Sequence, residues 1–300
     1  LALTTGGNVM FTNNTYYVSH DNSVDLVYGI NGALEQSYPV TVTGTVTLNG
    51  NTTAIAGLTD LSAITLSNNL SLSTVQDGTY TVSVTFTDGV SLSNTQAITI
   101  VKDSSIQIVG TRVLMPDNQE ITTRDSGNNV YTQTRSGLKL ELTINNEPGA
   151  LQYFINNQEI TNSEVVAGAP ANQTIVRLPI ADLADNTLST LNLRVVDAAA
   201  NEGLRTTPVR VDNNGPTITG AISFPAQSNT NAIILNGVTV TDFSPVRYRV
   251  TTGAGNTEGV FNNSIPLPEG TSTFTLTFLD ALNNPSSVNN GQSFTVFVDS

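Results

Sequence analysis

In Tyr80-Thr81-Val82-Ser83-Val84-Thr85-Phe86-Thr87 every second residue is apolar or aromatic and every partner is Ser or Thr. Strict alternation of period two is the signature of a strand with one face on a core and the other in water. The same rhythm runs through Val40-Thr41-Val42-Thr43-Gly44-Thr45-Val46-Thr47-Leu48, Leu191-Asn192-Leu193-Arg194-Val195 and Phe274-Thr275-Leu276-Thr277-Phe278. β-branched Val, Ile and Thr suit a pleated surface. No window of a dozen residues carries apolar positions at i, i+3, i+4 and i+7, so helix is expected to be nearly absent. Asn49-Gly50, Asp88-Gly89 and Asn236-Gly237 are read as tight turns, and Pro39, Pro148, Pro208, Pro216 and Pro285 as strand punctuation. Many short strands with frequent turns predict all-β sandwiches.

Internal repetition divides the chain. Asp77-Gly78-Thr79 leads a strand to Phe86, and a second strand, Ala97-Ile98-Thr99-Ile100-Val101, runs to Asp103. Ala184-Asp185-Asn186 leads through Leu191 to Val196, the turn Asp197-Ala198-Ala199-Ala200-Asn201 follows, and Val209-Arg210-Val211 ends at Asp212. Glu269-Gly270-Thr271 leads to Leu279, then Asp280-Ala281-Leu282-Asn283-Asn284, then Phe294-Thr295-Val296-Phe297-Val298 and Asp299. Cutting after each closing Asp predicts three sandwich units, 1–103, 104–212 and 213–300, with net charges of −6, −4 and −3.

Composition removes several kinds of chemistry. The 300 residues contain no Cys and one His, His20, so thiol catalysis, disulfides, Cys-ligated metals and multi-histidine sites are excluded. Eleven basic residues against 24 acidic ones, with no basic run, argue against nucleic acid and anionic membranes. No stretch approaches the apolar length of a membrane span, so no direct membrane insertion is expected. Only 12% of residues are charged, yet 38% are hydrophobic, enough to build cores. Two lysines, abundant Thr and Asn, and a start at Leu1 without Met fit a processed chain on a prokaryotic cell exterior, its signal peptide already removed.

Asp197-Ala198-Ala199-Ala200-Asn201 resembles the Asp-Ala-Ala-Gly-Asn hairpin turn of bacterial immunoglobulin-like (Big-type) repeats. Val211-Asp212-Asn213-Asn214-Gly215-Pro216-Thr217-Ile218 resembles their junction, and Pro266 to Thr277 with Leu279-Asp280-Ala281 resembles their last hairpin. The resemblance covers about the closing third of each unit and the start of the third. The first 60 residues and Thr111 to Pro170 do not match, and Asp103-Ser104-Ser105 lacks the junction proline. It implies tandem immunoglobulin-like sandwiches in adhesins, surface-layer proteins or other envelope proteins, and mechanics more than chemistry.

Calcium is the best-suited cofactor, because hard oxygen donors are plentiful and six to eight are needed per ion. The candidate ligands are Asp103, Asp197, Asn201, Asp212, Asn213, Asp280 and Asn284, at junctions and hairpin turns. Asp and Asn also fill turns for purely local reasons, and both readings stay open. Asn13, Asn51, Asn69, Asn172 and Asn262 open glycosylation sequons that matter only where the source glycosylates asparagine. His20 beside Asp21 is read as surface residues rather than part of a triad, and the absence of Trp argues against a sugar-cleaving cleft, so no enzyme is expected. The Thr rows are read as ordinary solvent faces, Lys102 and Lys139 as lysines without an isopeptide setting, and Leu1 to Phe11 as a local first strand rather than one donated to a neighbour.

The sequence therefore predicts a structural, non-enzymatic cell-surface component, either a self-assembling surface-layer or filament subunit or an adhesin stalk. Its partners are copies of itself or other surface proteins. The alternative is a glycan- or receptor-binding module seated in 104–212 and using Arg112, Arg124 and Arg135.

Overall fold

The computed structural model describes residues 2–4, 9–19, 23–30, 43–48, 51–55, 64–72, 76–87, 93–287 and 292–300. Every regular element among them is a strand, and the chain is a series of tandem immunoglobulin-like β-sandwiches. The strands fall into three sets, spanning 2–102, 108–211 and 217–298, and among the described residues strands pair only within a set.

The middle set shows the plan most fully. One sheet runs Ile108–Leu114, Lys139–Asn145, Gln173–Pro179, Glu164–Val166. The other runs Val130–Thr132, Glu202–Val211, Thr187–Val196, Gln152–Ile155, Gln158–Glu159. All neighbours are antiparallel except Val130–Thr132, which lies parallel to the last strand, with Tyr131 opposite Arg210. Leu140, Leu142, Ile144, Val176, Leu178, Leu193, Val195, Val209 and Val211 close the space between the sheets at 0–2% exposure. The alternation read in the sequence is thus the pleat facing that core: Leu191, Leu193 and Val195 are buried, and Asn192 is exposed.

The other two sets repeat the topology. In the first, Thr15–Val18 lies parallel to Ser93–Lys102. In the third, Gln227–Ser228 lies parallel to Ser293–Val298. The counterpart of Lys139–Asn145 is split in the third set into Ala232–Ile234 and Thr239–Thr241, which pair with different partners. Asn236-Gly237 lies in that split, with Gly237 at φ 71°, so it interrupts one strand rather than linking two in a hairpin. The carbonyl of Gly237 lies so near Gly220 that a Cβ there would sit 2.1 Å from it.

Tight hairpins use Asn-Asn as well as Gly. Asn13-Asn14 and Asn156-Asn157 all take positive φ, the geometry that matches strand twist. Asn13-Asn14 turns Val9–Thr12 back onto Thr15–Val18, and Ala2–Thr4 pairs with Ser23–Ile30. The described part of the amino-terminal segment is therefore paired inside its own chain. Asn49-Gly50, Asp88-Gly89, Pro39, His20 and Asp21 lie outside the described residues.

One backbone contact closes each set identically. The amide of Asp103 donates to Val18 O at 3.0 Å, that of Asp212 to Thr132 O at 2.9 Å, and that of Asp299 to Ser228 O at 2.9 Å. The closing Asp of each repeat is thus the last residue held by its own sheet.

Candidate functional site

Each of the first two closing Asp residues leads into a joint, and the hairpin of the next sandwich builds it. In Asp197-Ala198-Ala199-Ala200-Asn201 the Asp197 carboxylate turns inward on its own loop. Its Oδ1 accepts from the amides of Ala199 (2.8 Å) and Asn201 (2.9 Å), and its Oδ2 from Asn201 Nδ2 (2.9 Å). Ala200 takes φ 64° to complete the turn. Asn201 Nδ2 then donates across the joint to the main-chain oxygen of Asp103 at 2.9 Å. Asp280 and Asn284 repeat this, with amide donors from Leu282 (2.8 Å) and Asn284 (2.7 Å), and with Asn284 Nδ2 donating to Asp280 Oδ2 (2.7 Å) and to Asp212 O (3.1 Å).

These contacts give the two asparagines a role that the sequence did not suggest. Both partners of each amide nitrogen are acceptors, so the NH2 group faces them. Asn201 and Asn284 are clamps between sandwiches, and that nitrogen ligates no cation. Asn213 bonds to the Asp185-Asn186 turn: its Nδ2 donates to Asp185 Oδ1 at 2.7 Å and its amide to Asn186 Oδ1 at 3.2 Å.

At joint one the structure adds Glu147, which no motif in the sequence singles out. One carboxylate oxygen from each of Asp103, Glu147 and Asp197 lies within 4.8 Å of the other two. Asp103 is 5% exposed, and its Oδ2 is buried with no hydrogen-bond partner. Its Oδ1 accepts from Ser105 N at a long 3.4 Å, and Glu147 Oε1 from Gln107 N at 3.2 Å. Burial, then the charge of Asp197, lifts the Asp103 carboxyl to about 6. Burial, opposed by the Gln107 amide, lifts Glu147 to about 7. Three carboxylates this close, one with an unsatisfied oxygen, form a donor set suited to a hard cation that supplies what the protein withholds.

Joint two is built from the same positions with different partners. Asp242 replaces Glu147; its Oδ2 is also buried without a hydrogen bond, and burial, followed by an opposing hydrogen bond from the Phe243 amide and the charges of Asp280 and Asp212, lifts it to about 6. The buried Tyr131 hydroxyl bridges Asp212 Oδ2 at 2.8 Å and Asp280 Oδ2 at 3.1 Å. Around this core lies a clasp. Arg210 donates to Asp125 Oδ2 (2.9 Å) and lies 3.9 Å over the Phe243 ring, while the Ser126 amide and hydroxyl both donate to Phe243 O (2.9 and 2.7 Å). Gln133 Nε2 donates to Asn284 Oδ1. A Cβ on Gly215 would lie 2.0 Å from Pro285 O, so only glycine allows this approach.

Glu147 comes shortly after Lys139–Asn145 and Asp242 directly after Thr239–Thr241, and sheet pairing alone brings them opposite the hairpin. A proline shortly after each, Pro148 and Pro245, is the one local signal.

Elsewhere the chemistry is internal. Arg112 pairs with Glu141 and Glu120, Arg124 donates to the carbonyls of Ile121 and Thr123, and Arg135 to that of Leu183. Thr47 with Thr52, Thr85 with Thr95 and Thr273 with Thr295 share cross-strand hydroxyl bonds of 2.8–3.1 Å. Lys102 Nζ donates to Leu72 O, and Lys139 Nζ to Asn118 Oδ1, with Glu164 at 3.6 Å. Asn13, Asn172 and Asn262 are exposed, while Asn51 and Asn69 lie in strands Asn51–Ile55 and Ile64–Ser71. No helix among the described residues is long and apolar enough to cross a membrane.

No family model and no curated protein matches the sequence. Among solved structures, the chain is similar to Sidekick-1 immunoglobulin domains 1–5, with a TM-score of 0.37 and 10% identity over 94% of this chain and 56% of that one. It is also similar to domains A168–A170 of titin (TM-score 0.33, 12% identity, 95% and 96% covered). A 1.5-MDa bacterial ice-binding adhesin overlaps it with a TM-score of 0.30 at 15% identity, over 96% and 94% of the two chains. The chain thus spans little more than half of the Sidekick-1 structure. At TM-scores below 0.5 these overlaps identify neither a family nor a ligand.

Proposed function

We propose that this chain is a structural spacer of a prokaryotic cell surface, three sandwich units (1–103, 104–212, 213–300) joined end to end, acting through protein–protein contacts. The observation that carries this is the repeated joint: Asn201 and Asn284 each bind their own hairpin Asp and the closing Asp of the preceding sandwich. A hydrogen-bonded joint without a free linker resists bending, which is what a stalk, lattice or filament requires. The reading covers both an adhesin stalk and a self-assembling subunit, and it places the protein outside the cell with no enzymatic role.

Within it, joint one is a calcium site held by Asp103, Glu147 and Asp197. The unpartnered Asp103 Oδ2 and the converging carboxylates support this. The glycan- or receptor-binding alternative gains no support from Arg112, Arg124 and Arg135, which are all committed within the molecule.

Electron microscopy of the purified chain with calcium and with chelator tests both parts of this reading. Straight rods or ordered arrays in calcium are expected, with rods that bend at joint one on chelation. Collapsed, freely jointed particles in both conditions would overturn the spacer reading.

A further inference from the structure

Resting on the reading of joint one as a cation site, we propose that joint two needs no cation: the Tyr131 hydroxyl takes the place between Asp212 and Asp280 that the cation takes between Asp103 and Asp197. The two joints are the same construction, and their positions correspond one to one. Tyr131 stands opposite Arg210 in the short parallel strand, one residue before Thr132, whose carbonyl receives the Asp212 amide. Its counterpart is Tyr17, opposite Val101 and one residue before Val18, whose carbonyl receives the Asp103 amide.

The two tyrosines go to different places. The Tyr17 ring lies against Gly149, where a Cβ would be 2.9 Å from a ring carbon, beside the loop that carries Glu147. The Tyr131 hydroxyl instead reaches both carboxylates of its joint.

Each joint keeps one buried carboxylate oxygen without a hydrogen-bond partner, Asp103 Oδ2 and Asp242 Oδ2, so the demand for a counter-ion differs through the placement of the carboxylates and the donors they receive. Asp103, Glu147 and Asp197 converge within 4.8 Å, whereas Asp212, Asp242 and Asp280 form no such group among the described residues. Asp212 receives the Asn214 amide at 2.9 Å and the tyrosine hydroxyl, whereas Asp103 receives a long amide contact at 3.4 Å and otherwise faces another acid, Glu147. Positive charge is also built into joint two, where Arg247 donates to Asp280 O at 3.1 Å and Arg210 covers Phe243. A hydroxyl donor, unlike a bound ion, cannot be removed by chelation.

The chain lacks cysteine, so pairs of introduced cysteines can carry spin labels without background. Ala54→Cys with Val165→Cys spans joint one, and Val165→Cys with Val260→Cys spans joint two, all at exposed positions. Distance distributions are measured in calcium chloride and in chelator, with and without Tyr131→Phe. Chelation is expected to broaden joint one and leave joint two narrow. Tyr131→Phe should broaden joint two in both conditions, raising its open population about tenfold, as for one lost charge-assisted hydrogen bond. Broadening of joint two on chelation of the unsubstituted chain would overturn the proposal, as would a Tyr131→Phe joint as narrow as the original. If neither joint responds to chelator while Tyr131→Phe broadens joint two, the cation reading of joint one falls and the tyrosine lock stands.

Discussion

Asp103 and Glu147 are acids whose folded values, about 6 and about 7, lie above their ordinary ones, chiefly through burial. A carboxyl lifted by folding binds its proton more tightly in the native state. The native state therefore loses stability as pH rises from about 4 to about 7, and the full cost is present above that. In chelator, thermal stability should fall across this window by on the order of 3 kcal/mol at most for Asp103, since one unit is worth about 1.4 kcal/mol, the coupled pair shares the effect and water screens part of it. Asp103→Asn should flatten that slope, and calcium should flatten it in the unsubstituted chain, because either removes the need for the proton. A slope unchanged by both would separate these carboxyls from the joint's stability. The clamp is tested by Asn201→Ala, which strips a donor from Asp103 O and from Asp197 Oδ2. About 1–3 kcal/mol should be lost in chemical denaturation, more than a surface substitution costs.

At the level of the hairpin, Asp197-Ala198-Ala199-Ala200-Asn201 places an alanine at φ 64°, where L side chains crowd the following carbonyl. Asn283 takes the matching position at φ 69° in the other joint, with a residue type that tolerates the angle better. Ala200→Gly should therefore raise stability by about 0.5–1 kcal/mol, measured as a higher midpoint in denaturant at unchanged slope, despite the flexibility glycine adds to the unfolded chain. A fall would mean that Ala200 is held by packing rather than strained. The hairpins were legible in the sequence because Asp and Asn at their ends and small residues between them have local meaning. So were the strands, whose alternation Leu191, Leu193 and Val195 obey in the core. The groups that the hairpins face were not legible. Glu147 is 50 residues from Asp197 and 44 from Asp103, and no local rule brings them together. Nor was the clamp role of Asn201 and Asn284 legible, because the main-chain acceptors of their Nδ2 atoms lie in the preceding sandwich, 98 and 72 residues away.

At the scale of whole sandwiches, the cores of the middle and third units share no residue and are coupled through the contacts of joint two. Leu142 and its neighbours fill the middle sandwich, and Phe274, Phe278, Leu276 and Val296 the third, where Phe224 and Phe294 pack on Phe274 at ring separations of 5.1 and 5.9 Å. Truncating a buried aromatic costs about 3–5 kcal/mol, whereas joint two is crossed by five hydrogen bonds of roughly 1 kcal/mol each, two of which share the acceptor Phe243 O. Two hydrogen bonds that share one acceptor are worth less than two separate ones, so the coupling stays below its nominal sum and most of the damage should stay where it is made. Phe274→Ala is expected to move one calorimetric transition down by many degrees. The transition of the middle sandwich should follow only slightly, by the part of its stability that joint two lends it. Tyr131→Phe combined with Phe274→Ala should shrink that residual shift by the share that the Tyr131–Asp280 hydrogen bond carries, the other contacts of the joint remaining. A single transition that moves as a whole in Phe274→Ala would mean that the joint binds the two sandwiches into one cooperative unit, and that its contacts are worth at least the sum of their separate hydrogen bonds.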